Sequence, residues 1–332
     1  MPPASTHHGS VPNRDWGFYA APLLSSLLAL AANAAHASEG ALGRVIPGTV
    51  LQSKAGIVPD VPVLALNLTS TYFDGKLSSS VATPIAGNIS LGLETQLSVT
   101  TATLLKVWDT GAGRWNFASS LSVPYVWNRV EATLSVTGQS FGASDTASGL
   151  FDLYVVPLMA GYHFSETDHL ALSFGIWAPT GNYANGSLAN VGLNYWTFVP
   201  TMAYTKLVPD QGLELSGQVA VQVNTTNTAT DYRSGSLLTV DGLALKSLGR
   251  GFSAGLALSW IEQISDDTGP KAASLDGFRG SQVGVGPVLA YTAMVGGKVP
   301  IDISFRWVPT VYSRNRIDGN TLALSISVPL GM

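Results

Sequence analysis

The chain has no cysteine, which excludes a disulfide framework, thiolate metal ligands and a thiol nucleophile together. Charge is almost as scarce. Lys, Arg, Asp and Glu make up 11% of the 332 residues, against about a quarter in an ordinary soluble domain, so much of the surface has no need of water. The formal net charge of -4, with Lys and Arg scattered singly, offers no basic footprint for nucleic acid. Beyond the first 37 residues no apolar run approaches the roughly 20 positions that a spanning helix needs, because Ser, Thr, Gly or Gln interrupts every few residues. Phosphate-cradling glycine loops and zinc spacings are missing too. No metal or cofactor is expected.

What is present begins with a leader. Arg14 precedes "WGFYAAPLLSSLLALAANAAHA", which is apolar on all sides and ends in Ala35-His36-Ala37; residues 1–37 read as a secretory signal. Residues 38–62, "SEGALGRVIPGTVLQSKAGIVPDVP", carry Gly and Pro too densely for a regular element. They form an irregular segment that either enters a lumen or hangs in the periplasm, starting on the periplasmic side.

From 63 to 332 the sequence alternates with period two and favours Ser, Thr, Val, Gly and aromatics over helix formers. About twelve strands are expected, near 63–73, 88–106, 114–132, 149–164, 169–180, 195–206, 212–226, 235–248, 251–263, 279–293, 298–312 and 319–330. Their connections alternate. Long ones such as "DGKLSSSVATPIAG", "SVTGQSFGASDTAS" and "GNYANGSLANVG" follow odd strands, and short ones such as "DTGAG", "SETD" and "LGR" follow even strands. That pattern predicts an all-β fold, a closed antiparallel outer-membrane barrel with short periplasmic turns and longer external loops.

Alternation alone does not say which face is wet. Three features favour lipid outside: tall apolar rows such as Leu170, Leu172, Phe174, Ile176 and Leu322, Leu324, Ile326, Val328, Leu330; Trp108, Trp115, Trp127, Trp177, Trp196, Trp260 and Trp307 near strand ends; and a complementary face of Ser, Thr, Gln, Gly and Ala with few charges. If Leu213, Leu215, Val219, Val221 and Val223 meet lipid, then Glu214, Gln218, Gln222 and Asn224 line the lumen. The same parity turns Glu94, Gln96, Asp152, Tyr154, Asp302 and Arg306 inward, with Val156, Leu158 and Tyr162 as apolar wall. Arg306 is expected to pair with Asp302 or another acid, and Arg44, if its segment enters, to meet Glu94, Asp152 or Glu214. Prolines 124, 157, 200 and 287 each remove a ladder donor and imply bulges.

From about Asp152 to Tyr291, "GYHF", "APTGNY", "NVGLNYWTFVPTMAYT", "GLELSGQVAVQVNTTNTATDYRSG", "ISDDTGP" and "GVGPVLAYT", with "SEGALGRVIPGT" after the leader, resemble the SphA-like meta-pathway of phenol degradation family of bacterial outer-membrane transport proteins. The resemblance implies an exported barrel that passes hydrophobic or aromatic compounds and brings no catalytic residues. Partners would be outer-membrane lipid, such a solute and the barrel-assembly machinery. The end "SVPLGM" departs from the aromatic terminus usual in such barrels.

The expectation is therefore an outer-membrane channel for passive uptake of small hydrophobic or aromatic compounds. The alternatives are a general porin and a structural or adhesive surface protein anchored by its barrel. Phe141, Tyr183 and Tyr232 could meet aromatic solutes by stacking. An enzyme is disfavoured, since His163 and His169 flank a short turn at the wrong end for lipid-face catalysis. Asp266 and Asp267 could hold calcium or simply be solvated.

Overall fold

The computed structural model describes residues 41–331 except 86–87, 112, 137–138, 276 and 298. The chain divides into 1–34 and 35–332. All described residues belong to the second, and the expected leader lies outside them.

Among the described residues one sheet contains thirteen strands: β1 Leu64–Ile85, β2 Asn88–Val107, β3 Trp115–Val136, β4 Gln139–Leu150, β5 Leu153–His163, β6 Asp168–Ala178, β7 Thr197–Val208, β8 Leu213–Asn224, β9 Leu237–Gly249, β10 Phe252–Gln263, β11 Ser281–Val295, β12 Val299–Arg314 and β13 Asp318–Gly331. Strands β4 and β5 lie on the same edge of β3, the first against its upper half and the second against its lower half. They are one stave broken at Phe151 and Asp152, which leaves twelve staves. Every ladder is antiparallel, and β1 pairs with β13 from Leu64↔Gly331 to Lys76↔Asp318. The ring is closed, as lipid demands of a sheet whose unpaired backbone groups would each cost several kcal/mol.

Side-chain period explains the strands. In β8, Leu215, Val219 and Val223 are exposed while Ser216, Ala220, Gln222 and Asn224 are buried; in β13, Leu322, Leu324 and Ile326 alternate likewise with Thr321, Ala323 and Ser325. Leaving such side chains in water would cost about 1.5–3 kcal/mol each, so the outer girdle fits hydrocarbon. Trp108, Trp115 and Phe164 stand exposed at the short-turn end and Trp127, Trp196 and Trp307 higher up. From Trp115 to Trp127 a tilted strand climbs about 30 Å, the thickness of a bilayer core. Trp177 departs from the belt and points inward.

The first strands outgrow the membrane. The stretches expected as loops over 74–87 and 135–148 are mostly strand, in β1 of 22 residues and in β4, because above the lipid the outer face no longer has to be apolar and the ladder continues with Ser, Thr and charged residues. This also corrects two lining residues. Glu94 and Gln96 are exposed and share the outward face with Lys76 and Asp74, whereas Phe73, Leu93 and Thr95 turn inward. A bulge between Val155 and Leu158 resets β5, so Leu158 and Tyr162 also face outward.

The lumen is not a wet tube. Residues 41–63 run down it, and their apolar side chains gather wall residues into clusters: Ala41 and Ile46 with Phe73, Leu77, Leu93, Phe278 and Ile317; Leu51 with Leu243, Leu245, Val288 and Val308; Val58 with Val107, Ala118 and Ala171. Several β9 side chains are accordingly apolar on the inner face as well. The described part of the segment starts beside the β12–β13 turn, where Ile317 N donates to Ala41 O, and ends where Val107 N donates to Val63 O. It thus descends from the long-loop end to the short-turn end, which corrects the expectation that it starts at the periplasmic mouth.

Candidate functional site

Three arginines hold the segment. Arg44, on the segment itself, sits in a cage made where the β4–β5 stave breaks. Its Nη1 lies 2.8 Å from Asp152 Oδ2, its Nε donates to Thr197 Oγ1 at 2.8 Å, and its Nη2 donates to the Tyr195 carbonyl. The guanidinium also lies over Tyr195 at 4.8 Å, Trp177 at 5.3 Å and Phe151 at 5.7 Å, within cation–π range. Both partners of the ion pair are almost wholly buried. Such a pair endures only when remaining donors and acceptors are satisfied, and Asp152 also accepts from Gly181 N and Leu193 N. Of the three acids open to Arg44, Asp152 is the one it meets.

Arg306, from β12, donates to Leu51 O and to Gln52 Oε1. Its electrostatic partner is Asp241 on β9, not Asp302. Asp302 lies near the short-turn mouth, exposed, and accepts from Thr292 at 2.6 Å. Arg316, in the β12–β13 turn, donates to Leu42 O and Val45 O at 2.6 Å and to Gln282 Oε1 at 3.0 Å. Burial pulls its pKa down to about 10, which still leaves it charged at neutral pH.

Below the arginines, Glu214 accepts from Ser53 Oγ at 2.7 Å and from Lys54 N at 2.6 Å, and Gly56 N donates to Thr205 Oγ1. Val58 packs into the space over Gly161, where a Cβ would lie 2.5 Å from that of Val58. His163 Nε2 lies 3.0 Å from Val58 O and its Nδ1 lies 2.5 Å from Nδ1 of His169. The histidines are therefore part of the segment's foot.

The remaining lining residues are placed as follows. Tyr154 lies tilted against Trp177, ring centroids 4.6 Å apart, with its hydroxyl over Gly175. Gln218 stands opposite Asp241 in register. Gln222 is buried, and Asn224 links Thr197 to the carbonyls of Ser234 and Gly235. Asp241 and Arg316 went unnamed in the sequence, although β9 alternation puts Asp241 in one row with Leu237, Thr239 and Leu243. Asp267 is occupied by Tyr232, Gly235 N and Gln263, and Asp266 by Arg279. These contacts bind the loop together and leave Tyr232 buried.

Open space remains inside the barrel among the described residues. A vestibule of about 950 Å³ opens among the tall strands, lined by Leu77, Leu93, Ala132, Arg314 and Arg316, with Lys76, Glu94 and Asp318 at its rim. Deeper, a pocket of about 140 Å³ lies between Leu42 and Gly43 of the segment, the β2–β3 wall and the 183–195 connection.

A closed antiparallel barrel with an apolar girdle and an internal N-terminal segment is a transmembrane barrel of the outer-membrane type. The chain belongs to the family described as "Putative MetA-pathway of phenol degradation", which it matches over residues 78–326. In fold it is similar to a COG4313 outer membrane channel from Pseudomonas putida F1, at 17% identity and a TM-score of 0.63, over 86% of this chain and 100% of that one. More distant are the beta domain of the Bordetella autotransporter BrkA, at 11% identity and 0.46 over 82% and 100%, and a Pseudomonas aeruginosa FadL homologue, at 10% and 0.33 over 90% and 98%. No curated protein matches the chain.

Proposed function

We propose that this barrel admits small hydrophobic or aromatic compounds across the outer membrane by passive diffusion, with no catalytic step. The carrying observation is the lumen's use of charge. Arg44, Arg306 and Arg316 are each committed to the N-terminal segment or its acid partner, and the deeper pocket beside the segment is lined largely by Leu, Ile, Val and Tyr. Such a passage has little to offer a hydrated ion and much to offer a weakly polar solute. The family's description names a phenol-degradation pathway, and the Pseudomonas putida relative is described as an outer membrane channel; both support this reading. The test is swelling of liposomes carrying the purified protein, in a hexose and in an aromatic acid. Faster permeation of the aromatic acid is expected. Equal rates would point to a general porin, and no permeation of either to an anchor.

A further inference from the structure

Resting on the channel reading, we infer that Leu93 is the gate of this barrel, an apolar side chain that parts the vestibule from the deeper pocket and passes weakly hydrated solutes while holding back hydrated ions. Among the described residues it is the one that lines both spaces. The vestibule on one side of it holds about 950 Å³ and the pocket on the other about 140 Å³, so a solute moving inward meets this side chain where the passage narrows. Leu93 is 2% exposed and belongs to the apolar cluster of Leu77, Ile85, Ala132 and Ile317. Leu77, Leu93 and Ala132 stand opposite one another in register on β1, β2 and β3. Together they give the vestibule an apolar floor.

The ladder is irregular at this level. From Ser90 to Leu93, β2 takes three steps against two of β3, from Leu134 to Ala132, which is a bulge. Gly92 supplies the left-handed φ of 82°, and Ser90 Oγ donates to its carbonyl at 2.8 Å. On the other flank β1 loses register between Leu77 and Ala82. Bulges re-aim side chains and recur beside functional sites; here regular pairing on β2 resumes at Leu93 itself. An apolar constriction stops ions because water withdraws from it. A solute that sheds its water readily loses little there, which is the selection that the channel reading requires.

The chain holds no cysteine, so single cysteines can report access to each side of the gate. Thr95→Cys probes the pocket and Ala143→Cys the vestibule. Each full-length protein, in detergent micelles, is reacted with neutral N-ethylmaleimide and with anionic sulfonatoethyl methanethiosulfonate, and the Thr95→Cys rate is divided by the Ala143→Cys rate for the same reagent. That ratio is expected to be about tenfold higher for the maleimide. Adding Leu93→Ala should raise it for both reagents. Leu93→Asn, which keeps the branched shape but carries a wettable amide, should raise it for the sulfonate by about tenfold; retained heat-modifiable migration on gels shows that each variant remains a folded barrel. Ratios unmoved by either substitution, or equal for the two reagents with Leu93 in place, would overturn the gate. Liposome swelling with the same proteins keeps the two readings apart. An impermeable barrel whose labelling still follows Leu93 overturns the channel reading alone, and a permeable one whose labelling ignores Leu93 overturns the gate alone.

Discussion

At the scale of the residue, the Arg44–Asp152 pair is a charge contact whose loss can be read directly. Removing one member of a buried pair costs about 3–5 kcal/mol because the other is left uncompensated. Arg44→Met should therefore lower stability by that order and raise the open-state noise in planar bilayers. Arg44→Met combined with Asp152→Asn should recover much of the stability, and thermal melts of the single and double variants would check both points. The histidine pair makes a second prediction. His163 Nε2 faces a carbonyl and must carry a proton, so its Nδ1 can only accept from Nδ1 of His169 while both rings are neutral. Charging both rings would set two N–H groups against each other at 2.5 Å. In acid, once both imidazoles have gained a proton, the foot of the segment should loosen, with Asp168 and its partner Lys206 as the charges beside the turn. Proteolysis near Val58 should accelerate at pH 5 in the wild type, and the pH dependence should be absent in His169→Gln. A flat profile in the wild type would sink this account.

At the scale of the element, what was legible in the sequence follows from solvent. Strands β8 and β13 stand in lipid over much of their length, so Leu213 to Val223 and Leu322 to Leu330 write their period in plain hydrophobicity. The upper halves of β1 and β3 and all of β4 have a different solvent and no such period, and this is why 74–87 and 135–148 read as loops and why parity turns Glu94 and Gln96 toward the lumen. The bulge at Pro157 inverted the parity of Leu158 and Tyr162 for a separate reason, a lost ladder donor. Nor could Ile46, Leu51 and Val58 be recognised as core, since they follow no period in an irregular segment. Because the β1–β2 hairpin above Lys76 stands clear of the bilayer core, deleting residues 78–91 should leave assembly and the girdle intact. Heat-modifiable migration of the shortened protein would show it, and loss of the folded band would count against the placement.

At the scale of the whole molecule, the interior segment decides conductance. Deleting residues 41–58 removes the partners of Arg306, Arg316, Glu214 and His163 together and should widen the passage, raising single-channel conductance several-fold if the barrel persists; unchanged conductance would show that solute passes elsewhere. Twelve staves are intermediate between a ring that its own side chains can fill and one that must hold open water. The apolar clusters inside show how this barrel resolves the intermediate case, by borrowing a core from its own chain.

One topological fact carries furthest. The thread inside the ring is covalently continuous with β1, and β1 is also a lip of the β1–β13 seam. Sealing that seam before the thread was in place would leave it to be fed past Arg306 and Arg316 with Arg44 still to be seated. The covalent layout therefore favours laying residues 41–63 against the unfinished wall before the β1–β13 suture is drawn around them.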